Sequence, residues 1–528
     1  MNSTSALLDD LRSELGTDGV VTDERARAVA SMDIYAAGAM AIAVVSPGTA
    51  AELSTAMHLI CESGVAVVPR GGGMSYTGGI VPPHENSMVI DTARMDQIIE
   101  VNEHNMFVRV AAGCTWQTLW EALQAKGLRV PFWGPLSGSA ATVGGSVSQQ
   151  AILWGSGRYG PSSDSVLGLD VVIADGTTVR TGMGAIDGAI PNWRHFGPDI
   201  TGPFLGDCGA LGVKAAVTLR LMRVPAEPGF ASYTFTSAHD LIDAMCELAR
   251  TDTVVAGFGL DPKLTEQRVR RGSLADGAGA AATMIRRSNN KLGAVRDAVK
   301  MATRGRAFLP TETYTLHLLA EGRSRPGVDA DLAEIGRVCS SGTAVDATVP
   351  KLMYSRPFAS LTSALGPEGQ RWAPMHVLVP LTEALSMWER IQQVVASLQT
   401  TMDGHDIEIG FMFGTVTNTT MLIELVMTWP GPRPILYDEQ IPASKLRRYP
   451  DFDASPETDA IVSDIREQFV ELFATNGGAH LQIGRRYRYF DRLDPATQRL
   501  LVGLKQAVDP DGLINPGAIG LPVTSAGA

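Results

Sequence analysis

One stretch of this chain constrains its fold more than any other: Val68-Pro69-Arg70-Gly71-Gly72-Gly73-Met74-Ser75-Tyr76-Thr77-Gly78-Gly79. A β-patterned run, VAVVPR, delivers the backbone into a loop with five glycines among the nine residues from Gly71. Glycine tolerates positive φ and lets successive N–H groups converge on one point, which makes a nest for an anion. A dinucleotide pyrophosphate is the natural occupant. This is not a Rossmann fingerprint, because the chain runs from the glycines into the extended segment SMVIDT and not into a helix.

Two further stretches repeat the theme. Gly134 to Ser146 (GPLSGSAATVGGS) surrounds Leu136 and Val143 with small residues, leaving room for a large flat ligand against the backbone. Its Ser137, Ser139, Thr142 and Ser146 offer hydroxyls to phosphate or carbonyl oxygens. Phe204 to Val213 (FLGDCGALGV) is a glycine turn entering the strand-like run VKAAVTLRLM. Three such turns in one region exceed what chain punctuation needs.

The 528 residues allow two to four domains, and 45% hydrophobic with 19% charged residues is a globular composition. A formal charge of −12 without a basic block excludes a nucleic-acid partner. The start, MNSTSALLDDLRSELG, lacks the basic and apolar parts of a secretory signal. The longest apolar stretch, Ala36 to Val45, is about half of the ~20 residues of a membrane span. Cys61, Cys114, Cys208, Cys246 and Cys339 are scattered singly, against a disulfide framework or a thiolate zinc site. A cytoplasmic protein with no membrane partner is the expectation.

Along the chain, residues 1 to 35 read as two short helices, the second capped by Thr22. A glycine-rich α/β region follows to about 225, opening with a strand AIAVVSP, a helix TAAELSTAMHLICESG and a strand VAVVPR. In the helix TWQTLWEALQAKG, Trp116, Leu119, Trp120 and Leu123 share one apolar face, and Gly127 stands at the C′ position. From 226 to 470 glycine thins and longer helices alternate with β runs such as TYTLHLLAEG and TMLIELVMTW, which suggests a second α+β domain. The proline-rich segment 429–456 reads as a long ordered loop: a lid, an interface such as a homodimer contact, or a plain surface excursion. The tail QRLLVGLKQAVDPDGLINPGAIG is an amphipathic helix ended by Pro510 and Gly512.

The order PRGGGxSYTGG, SGSAATVGG, DVVIADGTTVRTGMGA, GALGV before a strand, and VDPDGLINPG near the C terminus is similar to flavoproteins of the vanillyl-alcohol oxidase/p-cresol methylhydroxylase family. The resemblance implies an α+β fold: a discontinuous FAD-binding domain of the p-cresol methylhydroxylase type with an inserted α+β substrate cap. Its boundaries would be 1–225 for the FAD-binding domain with the N-terminal helices, 226–478 for the cap, and 479–528 for a C-terminal return. Residue by residue, Arg70, Gly71, Gly72, Gly73 and Ser75 would meet the FAD pyrophosphate. Ser139, Thr142, Gly144 and Gly145 would line pyrophosphate and flavin, and Val213 would touch the cofactor through its backbone. Pro69, Met74, Pro135, Ser148, Gly209, Gly212 and Asn515 complete the implied cofactor set.

Departures from the family sharpen the expectation. Where several relatives attach FAD through a His of the first loop, this chain has Met74, so FAD is expected to be non-covalent. His376, His405 and Tyr437 of the cap read as ordinary residues. The metal-dependent hydroxy-acid branch carries paired histidines where this chain has GFMFGTVTNTTMLIELV, so no metal is expected. The phenol-oxidising branch places a Tyr in the first loop, matched by Tyr76, with a Tyr-Arg pair from the cap. Tyr487-Arg488 reproduces that pair, whereas spacing favours Ala479-His480-Leu481, and the branch's acidic position falls on Ser148.

The expected function is an FAD-linked oxidase or dehydrogenase. It would take a hydride from an alcohol or benzylic carbon of a small apolar or phenolic substrate, with dioxygen or another carrier as acceptor. His480 is the first choice for the base that takes the hydroxyl proton. Tyr76, Tyr487 and Arg488 complete the catalytic candidates. The cluster Arg485-Arg486-Tyr487-Arg488 reads either as the cation beside the reduced flavin or as a solvated face. Trp154 and Tyr159 either wall the pocket or belong to the core, and Asp91 and Asp175 are turn residues. A 2-hydroxy-acid dehydrogenase and a flavin-binding protein without turnover are the alternatives.

Overall fold

The computed structural model describes residues 2–271, 311–358 and 361–523. Three larger sheets organise them. The first holds β1 (Val20–Val21), β2 (Val44–Val45), β3 (Ala66–Arg70) and β4 (Ser87–Asp91) in the order β1-β2-β4-β3. The β2, β4 and β3 strands run parallel, so a crossover must join β2 to β3. That crossover is the helix Ala50–Glu62, whose N-cap Thr49 accepts the Glu52 N–H at 3.1 Å. Its Leu53, Met57 and Ile60 face the sheet, fully buried at i, i+4 and i+7. The C-terminal return joins the same sheet, where Val67 bridges Ile514 in parallel and the Asn515 N–H reaches the Val67 carbonyl at 2.7 Å.

The second sheet is antiparallel, in the order β5-β6-β10-β8-β9 (Ile98–Asn102, Phe107–Ala111, Val213–Arg220, Val166–Val172, Thr178–Arg180), and beside it a two-strand ribbon pairs β7 (Leu128–Arg129) with β11 (Met222–Arg223). The helix Trp116–Gln124 covers the sheet with Trp116, Leu119 and Leu123, each 1% exposed. These are core residues, as the helical spacing implies.

The third sheet is the cap: seven antiparallel strands in the order β15-β12-β14-β13-β17-β18-β16. Their spans are β12 Glu227–Phe235, β13 Ala256–Leu260, β14 Tyr314–Gly322, β15 Thr343–Val345, β16 Arg371–Pro380, β17 Glu408–Val416 and β18 Thr420–Trp429. Period-two alternation sorts their side chains. Ala373, Met375 and Val377 of β16 and Ile423, Leu425 and Met427 of β18 pack in one core with the helices Ala238–Thr251, Ala384–Gly404 and Pro456–Thr475. The residues between them, Trp372, His376, Glu424 and Val426, turn to the opposite face.

Two local expectations are corrected. The second N-terminal helix spans Glu24–Ala30 and is capped by Asp23, not Thr22: the Asp23 carboxylate accepts the Ala26 N–H at 2.9 Å. The proline-rich segment, expected as a long ordered loop, is ordered but partly helical. It forms short helices at Leu436–Gln440 and Ala443–Leu446 and buries Leu436, Tyr437, Ile441 and Leu446 against Ile34 and Tyr76 of its own chain. Between cap and glycine-rich region, Arg129 and Glu321 form a buried bidentate pair, 2% and 1% exposed, with Nη1 donating to Oε1 at 2.9 Å. The Arg129 guanidinium also lies 3.9 Å from the Trp133 ring centroid.

Candidate functional site

The three glycine-rich turns converge on one cleft enclosing about 850 Å³. The turn after β3 follows the strand's end, and the stretch Gly134–Ser146 closes against it. A Cβ on Gly72 would stand 1.9 Å from the Ala140 carbonyl oxygen, and one on Gly71 would stand 2.4 Å from the Thr142 hydroxyl. Glycine is required there for loop to meet loop. The backbone N–H groups of Gly72, Gly73, Met74 and Ser75 have no acceptor among the described residues. Four consecutive free donors at the cleft wall are a fit for a pyrophosphate.

All but two of the cofactor residues expected from the resemblance line this cleft: Pro69, Arg70, the triple glycine, Met74, Ser75, Pro135, Thr142, Gly144, Gly145, Ser148, Gly209, Gly212 and Val213. Ser139 and Asn515 do not. Asn515 sits behind the wall, its Nδ2 donating to the carbonyls of Gly79 at 2.9 Å and Cys208 at 2.7 Å. Arg70 lines the cleft while its Nη1 donates to the carbonyls of Ala30 and Met32.

The TVGG segment opens a short helix, Val143–Gln149, whose first donors are consumed internally. Val143 N–H goes to Cys114 O, Gly144 N–H to Ala112 O, and Gly145 N–H to the Thr142 hydroxyl. The Ser146 hydroxyl is taken by the Trp116 indole N–H at 2.8 Å. The unspent backbone donors on the cleft wall therefore belong to the first loop.

Where the cleft meets the cap, Gln482 lines it, and its Nε2 donates to the Tyr76 hydroxyl at 3.0 Å. Gln482 holds a left-handed backbone (φ 48°), fixed by its N–H bond to the Gln149 carbonyl at 3.0 Å. Tyr76 is 7% exposed, edge-on to Trp372 of the cap. The Tyr487 hydroxyl accepts the His376 backbone N–H at 2.8 Å. Burial pushes both phenols well above their ordinary range, so each stays protonated and able to donate.

Glu424 of the cap sheet interacts electrostatically with both phenols and does not itself line the cleft. Burial pushes its carboxyl up to about 7, opposed by the charge of Arg268. Its own charge raises Tyr76 and Tyr487 further. Arg268, from the helix Pro262–Arg271, also depresses His317, which burial holds down at about 3. Arg466 is fully buried and donates Nη2 to the Tyr76 carbonyl at 3.2 Å, while its Nε and Nη1 have no acceptor.

Several candidates lie elsewhere. His480 does not line the cleft: its Nδ1 donates to the His376 carbonyl at 2.9 Å and its ring stacks on Tyr487 at 3.8 Å. Burial holds its imidazole down at about 3, a poor proton acceptor at neutral pH. Arg488 is exposed, paired with Glu471 and Asp491. Arg485 ties loops together through the carbonyls of Val81 and Pro516, and Arg486 pairs with Glu467. Of that basic cluster Arg485 and Tyr487 turn inward, and burial holds Arg485 down at about 10. Trp154 is core, 4% exposed, stacked on Trp133. Tyr159 packs in the same cluster. Asp91 and Asp175 accept N–H groups within their own turns.

His376 Nε2 accepts the Leu481 N–H at 3.0 Å, His405 Nδ1 meets Thr458, and the Tyr437 hydroxyl donates to Ala364 O. Glu424, Arg268, Arg466 and Gln482 were missed by sequence reasoning. Glu424 carried a signal, as the lone charge within TMLIELVMTW.

Residues 41–182 match the family model described as an FAD binding domain. The chain is 32% identical over 235 residues to the uncharacterized FAD-linked oxidoreductase YgcU of Escherichia coli (strain K12), covering 43% of this chain and 47% of that protein. The match thus spans about half the length of that relative. It is 24% identical over 485 residues to the glycolate oxidase subunit GlcD of Bacillus subtilis (strain 168), covering 90% and 88%. Among solved structures, p-cresol methylhydroxylase with substrate bound superposes with a TM-score of 0.72 at 16% identity, covering 99% of this chain and 97% of that one. The 4-ethylphenol oxidase of Gulosibacter chungangensis gives 0.73 at 16% identity, covering 99% and 98%. The resemblance read from the motifs holds: the chain carries an FAD-binding domain on the p-cresol methylhydroxylase fold, and FAD is its cofactor.

Proposed function

We propose that this FAD-binding chain is an FAD-linked oxidase or dehydrogenase of a small alcohol or alkylphenol, held between the glycine loops and the inner face of the cap sheet. FAD, when bound, supplies the acceptor for a hydride from the substrate carbon. The chain's residues do the rest. The N–H groups of Gly72 to Ser75 hold the pyrophosphate, and Met74, unable to form a covalent link, leaves the cofactor free to dissociate. Tyr76 and Tyr487 donate hydrogen bonds to the substrate oxygen. Glu424 accepts the proton that oxygen gives up. The single observation that carries this reading is the grouping of Glu424 with the Tyr76 and Tyr487 phenols, where burial pushes its carboxyl up to about 7, since a base works best with its pKa near the operating pH. Arg466, buried beside Tyr76 with its Nε and Nη1 unpaired, favours an oxygen with anionic character.

A second reading rests on Arg268. A guanidinium whose charge acts on Glu424 suits the carboxylate of a 2-hydroxy acid, and GlcD is a glycolate oxidase subunit by name. Anaerobic titration separates the two. Bleaching of the ~450 nm flavin band by 4-hydroxybenzyl alcohol or 4-ethylphenol, and not by D-lactate or glycolate, supports the first. The reverse order of rates overturns it in favour of the second, and no bleaching by any of the four removes both.

A further inference from the structure

A second cleft, of about 870 Å³, lies on the far side of Arg466 from Tyr76. It forms where the segment after the second helix (Met32 to Ala37) meets the start of β16 and the proline-rich segment. The hydrogen-bonding groups on its walls are unbalanced. Asp33 spends both oxygens on backbone: Oδ1 accepts Tyr35 N and Ala36 N at 2.8 Å, and Oδ2 accepts Gly78 N at 2.7 Å. Asp459 Oδ1 takes the Trp429 indole at 3.0 Å and stands 3.6 Å from Arg371 Nη1. The donors are in surplus. Arg371 gives Nη2 to the Tyr35 carbonyl, yet its buried Nε has no acceptor. Arg433 has a buried Nη1 without an acceptor, and no carboxylate pairs with its guanidinium among the described residues. Buried N–H groups that are left unpaired cost free energy, and an oxyanion is the group that satisfies them.

The rest of the wall is apolar or aromatic: Pro432, Pro434 and Ile435 on one side, Tyr35 and Ala37 on the other. Tyr35 is itself sandwiched, with the Arg466 guanidinium 3.8 Å from its ring centroid. We infer that this cleft is a second binding site, for a small organic anion whose carboxylate or phosphate meets Arg433 and Arg371 while an apolar body lies along Pro432, Ile435 and Tyr35. A bare ion would leave most of the volume and all of the apolar wall unused. The inference does not depend on which substrate the flavin cleft takes.

The test uses the FAD-loaded full chain and equilibrium binding of benzoate, phenyl phosphate, inorganic phosphate and neutral benzyl alcohol, in wild type and in R433Q, I435W and Y76F. The site requires benzoate or phenyl phosphate to bind, the tighter of the two naming the anion. That binding weakens at least tenfold in R433Q and in I435W, which narrows the cleft without removing charge, and is unchanged in Y76F. Flavin reduction by the enzyme's substrate stays at the wild-type rate in R433Q. Overturning results are binding that is lost in Y76F but kept in R433Q, which assigns the anion to the flavin cleft, or benzyl alcohol binding as tightly as benzoate. Inorganic phosphate matching phenyl phosphate would also contradict the apolar wall's role.

Discussion

Tyr76 and Gln482 stand 406 residues apart in the chain, and the amide of one meets the hydroxyl of the other at 3.0 Å. The first-loop tyrosine is thus aimed by a residue of the C-terminal return, across the seam between glycine cleft and cap. Replacing Gln482 by Leu removes that donor and leaves the loop. Flavin content should stay at the wild-type level while turnover falls about tenfold, the size of one lost hydrogen bond to a group that must be held in place. Tyr76→Phe should cost about 10- to 100-fold in kcat/KM for the same reason. Flavin absorbance per chain and stopped-flow reduction read the two effects separately.

On the proposed role of Glu424 as the proton acceptor, its titration sets the pH dependence of the reaction. With its carboxyl at about 7, kcat/KM should climb as pH rises through that value and level off above it. Glu424→Gln should flatten the profile and lower the plateau about 10²- to 10⁴-fold. A profile with the same inflection in the Gln variant would assign the titration to another group.

Acid should destabilise the fold, and histidines are the reason. Burial holds His317 at about 3, His376 at about 4 and His480 at about 3, against 6.5 in the unfolded chain. Below pH 6.5 the unfolded state binds protons that the native state refuses, so the stability these residues contribute is present above 6.5 and is lost on acidification. Glu424 acts in the opposite sense, because its raised carboxyl keeps a proton in the native state between about 4.5 and 7. Asp261, pushed up to about 6 by burial, acts in the same sense as Glu424, so between pH 6 and 5 the net from these five groups is uptake of about one proton on unfolding. Urea melts across that range measure it as the slope of stability against pH.

The seam has its own test. Arg129 and Glu321 are fully buried and satisfy each other through two parallel bonds. Glu321→Ala leaves a buried guanidinium beside Trp133 without a counter-charge, at a cost of about 3–5 kcal/mol. The double variant Arg129→Met with Glu321→Leu removes both charges and should recover most of that loss. Denaturant unfolding of the two variants distinguishes pair-breaking from cavity formation.

What could be read beforehand divides along physical lines. The glycine loops were legible because backbone geometry leaves its mark in the residue type: Gly72 has no space for a Cβ beside Ala140 O. Trp116 and Leu119 were legible from helical spacing. The reacting groups were not, because their placement depends on the pairing of distant strands. His376 and Glu424 are opposite each other across β16 and β18, a register no local pattern states. His480 carries the right chemistry, yet the backbone around the Leu378–Ala479 bridge turns it into the core against Phe473 and Tyr487. The guanidinium that reaches the first loop is that of Arg466 in mid-helix, whereas Arg488, the arginine of the expected Tyr-Arg pair, is exposed and paired with Glu471 and Asp491.

The most direct measurement is the absorption spectrum of the purified protein before and after acid precipitation. A non-covalent FAD held by the Gly72–Ser75 donors gives bands near ~370 and ~450 nm in the native sample. After precipitation the colour moves to the supernatant. A colourless protein that takes up no flavin on incubation with FAD, or a pellet that stays yellow, would contradict the account.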